Sequence, residues 1–137
     1  MNITYPLTIY YDASCPMCAS EMHTLKETDF DNKLNLVDCS NQAFAEPASC
    51  PATKEAMMVR IHAIDANGIW IKGVDVFAAA YSASGFKNLG KFWGSQTLKP
   101  LLNHVYPWMA DNRHWLSKTP LPFVLNKTLR TLQPKSR

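Results

Sequence analysis

The chain has 137 residues, 47% of them apolar and 18% charged, a balance that suits one folded domain and excludes a disordered chain. Its net charge of +3, 14 basic against 11 acidic residues, is a mild excess. Much of it falls in the tail, at Lys127, Arg130, Lys135 and Arg137, and forms no basic stripe of the kind a nucleic-acid binder carries. No apolar run approaches the roughly 18 residues of a membrane span. The start, Met1-Asn2-Ile3-Thr4-Tyr5-Pro6, lacks the layout of an export signal, so the compartment to expect is the reducing cytoplasm. In that compartment closely spaced cysteines are catalytic or metal-binding more often than structural.

Leu7-Thr8-Ile9-Tyr10-Tyr11, rich in β-branched and aromatic residues, predicts a strand. Asp12-Ala13-Ser14 turns the chain. Cys15-Pro16 then opens a helix to about Phe30, because proline in a first turn gives up only an N–H that would lack a partner anyway. Met22 and Leu25 mark its apolar side, with Glu21, His23, Lys26 and Glu27 on other faces. Residues 34–38 alternate and predict a second strand. The stretch 40–53, with Pro47 and Pro51, is a loop with room for a short helix around Ala43 to Ala45. Residues 58–64 predict a third strand, Asp65-Ala66-Asn67-Gly68 a hairpin turn, and residues 69–71 a fourth strand. Gly73-Val74-Asp75 reads as a break, with Asp75 capping a helix over Val76 to Tyr81. A helical segment near Phe92 and a longer one from about Leu98 to Trp115 follow, with Pro100 in the latter's first turn and Pro107 ending or kinking it. Thr119-Pro120-Leu121-Pro122 closes the ordered part. The expected organisation is one domain over residues 1–125 and a frayed basic tail over 126–137. The order β-α-β, then a hairpin, then helices predicts an α/β, thioredoxin-like fold: a four-stranded mixed sheet flanked by helices, with extra helices at the C-terminus.

The chemistry lies in Cys15-Pro16-Met17-Cys18. A C-x-x-C alone is common, but here it follows a strand and a three-residue turn and opens a helix. Cys15 would sit at the helix N-terminus, where unpaired N–H groups and the helix dipole favour a thiolate, the nucleophile of disulfide exchange. Cys18, one turn on and partly covered by the helix, is placed to resolve a mixed disulfide. Met17 brings no charge, so a moderate lowering of the Cys15 pKa is expected. Asp12 is either a proton acceptor for the buried thiol or a turn-former bonding backbone N–H groups. The competing reading of the motif is a zinc site, which needs four ligands. Cys39 and Cys50 are ten or so residues apart and flank a loop, and His23, His62, His104 and His114 show no paired spacing. Cys39 and Cys50 are read as small core or loop residues, with a second disulfide as the alternative.

These motifs resemble the DCC family of thiol-disulfide oxidoreductases, named for an Asp-Cys-Cys signature. The likeness begins at Tyr11-Asp12-Ala13-Ser14-Cys15-Pro16-Met17-Cys18 and continues at Asp65-Ala66-Asn67-Gly68 and Gly73-Val74-Asp75. It ends at Tyr106, Ala110, Asn112, Arg113, Leu116 and Ser117, similar to the family's closing helix, and so spans about residues 7–117. The resemblance implies a thioredoxin-like fold and a dithiol activity with Asp12, Cys15 and Cys18 as signature residues. Two departures stand out: Ala13 replaces a common glycine, and Lys54-Glu55-Ala56-Met57 carries no proline before the third strand, where thioredoxins place one. Asn112 and Arg113 are read as anchors of the last helix, with a place beside the dithiol as the alternative.

The expectation is thus an enzyme that exchanges disulfides without a bound cofactor or metal. Its partner would be a disulfide-containing protein or a small thiol, with no nucleic acid and no membrane involved. That role asks for an exposed Cys15 of lowered pKa. The alternatives are a non-catalytic binding module, a metal site on the C-x-x-C, or a glutathione-using protein.

Overall fold

The computed structural model of the chain describes residues 3–132. Four strands, β1 (Leu7–Tyr11), β2 (Leu34–Asp38), β3 (His62–Ile64) and β4 (Trp70–Lys72), form one sheet in the order β2-β1-β3-β4. β1 and β2 run parallel, with Leu7 opposite Leu34 and Tyr11 opposite Asp38. The crossover between them is helix α1 (Pro16–Glu27). β3 and β4 are antiparallel additions, Ile9 pairing with Ala63 and Ala63 with Ile71. This is the mixed four-stranded sheet of a thioredoxin-like α/β fold.

The alternation of β1 divides the core. Leu7, Ile9 and Tyr11 point to the face covered by α1 and α3 (Val74–Ala83), where Met22, Leu25, Val76, Ala80 and Phe86 complete the main cluster. Tyr10 points the other way, to Cys39 and Met57, with Phe44 and Trp70 around it. A period-2 strand with both faces covered needs apolar residues on both sides, and β1 supplies them at every position but the partly buried Thr8.

The third strand is shorter than the sequence predicts. Residues 54–59 form helix α2 (Lys54–Val59), and only His62–Ile64 extends. The physical reason is a start signal: Thr53 Oγ1 accepts the Ala56 N–H at 3.2 Å, and Glu55 lies in the first turn. Lys, Glu, Ala and Met are strong helix formers, and the cap lets them prevail. The short helix suggested near Ala43 is a turn, in which Asn41 Oδ1 accepts the Ala43 N–H at 2.9 Å. Helix α3 starts two residues early, capped by Gly73 at φ 67° and ψ −131°, with Asp75 inside the first turn. Only glycine holds that backbone readily.

Helices α4 (Lys87–Trp93), α5 (Lys99–Asp111), α6 (Arg113–Leu116) and α7 (Leu121–Thr131) follow. The long helix expected over 98–115 breaks at Asn112, whereas Pro107 lies inside α5 without ending it. The frayed tail is corrected over most of its described length. Residues 126–131 are the second half of α7, which packs against α1, and Leu129 is only 2% exposed in the main cluster. Residues 133–137, with Lys135 and Arg137, lie outside the described residues. No helix among the described residues is long and apolar enough to cross a membrane.

Because Leu129 joins the main cluster, Leu129→Ala should lower the unfolding free energy by about 2–4 kcal/mol, read from urea denaturation. A loss below about 0.5 kcal/mol, the scale of a surface change, would detach α7 from the cooperative unit.

Candidate active site

The end of β1 sets the site. Asp12 Oδ1 accepts the Ser14 N–H at 3.0 Å and also the Ser14 hydroxyl, and Asp12 O accepts the Cys15 N–H at 3.2 Å. This is the turn-forming use of an aspartate. It delivers Cys15 as the N-cap of α1, at φ −88° and ψ 112°, with Pro16 in the first turn. The Cys15 sulfur then accepts the Cys18 N–H at 3.3 Å and the Cys18 thiol at 2.7 Å. All four cysteines are free thiols.

The two sulfurs are unequal. The thiol hydrogen bond from Cys18 is the largest influence on Cys15, with its backbone N–H, the Ser117 hydroxyl 3.7 Å away and the Arg113 charge adding to it. Together they outweigh burial and bring Cys15 down to about 6. Cys18 is driven well above the ordinary thiol range, first by holding its proton for Cys15, then by burial and by the charges of Cys15 and Glu21. The lowering at Cys15 is larger than the uncharged Met17 predicts, because the Cys18 thiol rather than a neighbouring cation supplies most of it.

Accessibility runs against that chemistry. Cys15 is 0% exposed, packed with Met17 and Leu116, while Cys18 is partly exposed. The cover comes from α6 and the turn after it. Those residues are tied down by Arg113, whose Nη2 lies 3.0 Å from Asp12 Oδ2 in an ion pair with side chains 13% and 3% exposed. Arg113 Nη1 also donates to Ala110 O at 3.2 Å. Arg113 therefore both anchors the C-terminal helices and stands beside the dithiol. The Asp12 carboxylate is occupied by Ser14 and Arg113.

Sequence reasoning missed Glu21 and Tyr81. Glu21 follows Cys18 by three residues on α1, a helical spacing that puts them on one side. Its carboxyl, on a face of α1 other than the apolar side of Met22 and Leu25, accepts a hydrogen bond from the Tyr81 hydroxyl. Burial pushes it up to about 7. Nothing in the sequence brings Tyr81 of α3 to this point. A partly open cavity of about 270 Å³ adjoins the pair, with Cys18, Glu21 and Arg113 in an otherwise largely apolar wall.

Cys39 is 0% exposed at the end of β2, and burial followed by the Asp38 charge pushes its thiol up to about 12. The Cys50 thiol donates to Met57 Sδ at 3.5 Å. Both belong to the second cluster, around Tyr10, as packing residues. Among the described residues no three His, Cys, Asp or Glu side chains are arranged to hold a metal ion.

The sequence model of the DCC1-like thiol-disulfide oxidoreductase family matches residues 9–119. An uncharacterized chloroplastic protein of Arabidopsis thaliana is 28% identical over 110 residues, which cover 80% of this chain and 51% of that protein. The chain thus spans about half the length of the relative it matches. No solved structure matches it.

Since the fold favours the Cys15 thiolate, alkylation of Cys15 should follow a titration with its midpoint near 6 rather than near the usual value of about 8.5. Cys18→Ala removes the thiol donor and should move that midpoint upward. Rates measured against pH by mass spectrometry decide it; an unshifted wild-type midpoint would refute the assignment of the thiolate.

Proposed function

The chain belongs to the DCC1-like thiol-disulfide oxidoreductase family, and from that premise we propose that it exchanges disulfides through Cys15 and Cys18. The observation that carries the reading is the capping geometry: one sulfur at the N-terminus of α1 accepting both the N–H and the thiol of Cys18.

The Cys15 thiolate attacks one sulfur of a substrate disulfide. A Cys15–substrate bond forms, the substrate's own S–S bond breaks, and the departing thiolate takes a proton from water. Cys18 then loses its proton and attacks Cys15, closing the Cys15–Cys18 disulfide and releasing the second substrate thiol. Glu21, whose charge Cys18 feels and whose carboxyl sits at about 7, is the base at hand for that proton. Asp12 serves as a positioning residue, through the turn and through Arg113. Because Leu116, Met17 and Ser117 cover Cys15, a protein substrate gains the sulfur only as the segment around α6 gives way.

Two measurements test this. Cys15→Ser should abolish exchange with a disulfide substrate, and Cys18→Ser should stall as a mixed disulfide on Cys15, seen as an added mass. Exchange that survives Cys15→Ser sinks the proposal. Leu116→Ala trims the cover and should raise the Cys15 alkylation rate several-fold at fixed pH. An unchanged rate would place the route to Cys15 elsewhere.

A further inference from the structure

The cavity beside the dithiol has Cys18 in its wall, and Cys15 is not part of that lining. Apart from Cys18, Glu21, Asp12 and Arg113 the wall is largely apolar, with Met57, Phe77, Trp93 and Leu125 among its residues. Arg113 brings to this wall a positive charge, paired with Asp12. The volume, about 270 Å³, falls just under the roughly 300–1,000 Å³ typical of ligand pockets. It admits a molecule smaller than a drug, and its apolar wall disfavours a highly charged one.

The chemistry of the oxidised pair adds direction. In disulfide exchange one sulfur is attacked and the other leaves, and the leaving thiol departs faster the lower its pKa. A molecule in the cavity meets Cys18, so the sulfur it expels is Cys15, the one the fold holds as thiolate.

We propose that this cavity binds a small dithiol with an aliphatic body, which reduces the Cys15–Cys18 disulfide by attacking Cys18. The inference rests on the disulfide-exchange reading above and supplies its reducing half. One ligand thiol loses its proton to water and forms a bond to the Cys18 sulfur, while the Cys15–Cys18 bond breaks and its electron pair leaves with Cys15. The second ligand thiol attacks the ligand sulfur now bound to Cys18, closing a cyclic disulfide. Cys18 departs with that electron pair and takes the second thiol's proton. The ligand loses two electrons and two protons, and the protein gains the two electrons. Arg113, whose charge favours a thiolate at this pair, stands in the same wall. Protein substrates reach Cys15 from the α6 side and the small reductant reaches Cys18 from the cavity, so the two half-reactions use different sulfurs.

The test uses oxidised full-length protein and two dithiol probes that both close to cyclic disulfides: dihydrolipoamide, with an alkyl body, and dithiothreitol, which is small and hydroxylated. Reduction by dihydrolipoamide should saturate with concentration. At low concentration it should exceed that by dithiothreitol by about tenfold, equal to about 1.4 kcal/mol, or roughly two buried methylenes. Ala110→Phe, which fills the cavity from α5, should collapse that ratio; Met58→Trp, on a partly exposed part of the same wall, repeats the test if Ala110→Phe fails to fold. With hexanethiol as a single-thiol probe, alkylating the freed thiol should leave the mixed disulfide on Cys18. Equal, non-saturating rates for the two dithiols, or a mixed disulfide on Cys15, overturn the cavity proposal while leaving disulfide exchange standing. A protein in which no Cys15–Cys18 disulfide can be formed or reduced by either dithiol overturns both.

Discussion

A sulfur takes the place of a hydroxyl or carboxylate at the start of α1, and the site is built around that substitution. The first N–H groups of a helix have no partners within it, and Cys15 offers its sulfur to the Cys18 N–H. A thiolate accepts such a bond better than a thiol, so satisfying the helix and charging the sulfur are one event. The cap forms only because the chain enters α1 at the right angle. The parallel pairing of β1 with β2 demands a crossover, and the Asp12–Ser14 turn aims it. Strand, turn and helix start are thus a mechanical chain ending on one atom.

The same aspartate ties the C-terminus to that chain. Asp12 and Arg113 form an ion pair that is nearly enclosed, and breaking either half would leave a buried charge without a partner. The pair sets α6 against the end of β1 although about a hundred residues separate them in sequence. It thereby holds Leu116 and Ser117 over Cys15. The anchor of the cover also adds to the acidity of Cys15, because the Arg113 charge favours its thiolate beside the larger effect of the Cys18 thiol.

Most of this architecture was legible in the sequence where local signals and tertiary demand agreed. β1, β2, α1 and the Asn67-Gly68 turn carry patterns that the packing then uses, and those patterns place Cys15, Cys18 and Asp12 at one strand-to-helix turn, where the structure has them. The reading failed where a cap outweighed a strand-like composition, as at Thr53 before α2. It failed again where burial is decided by a distant element. α7 looks like the start of a basic tail because Lys127 and Arg130 advertise solvent, yet Leu125 and Leu129 on another face meet the core. Glu21 looks like a surface residue because its partner, Tyr81, is sixty residues away. Arg113 was visible only as one residue of a closing motif, and its bond to Asp12 has no local trace in the sequence.

The mismatch between acidity and exposure is the feature that local pattern cannot carry. A helix N-terminus by itself would give an acidic and open Cys15, with Cys18 shielded behind it. In this fold the helices after α4 close over the first sulfur and leave the second beside a cavity. A low pKa helps a sulfur in two ways: it raises the thiolate fraction of an attacking thiol and it speeds departure of a leaving one. Burial under Leu116 restrains the first use and leaves the second untouched, since a departing sulfur needs no approach path. The covered Cys15 is therefore better placed as a leaving group than as an unguarded nucleophile. On the proposed mechanism its attack on a substrate would wait on the movement of α6, whereas its release from a disulfide would not.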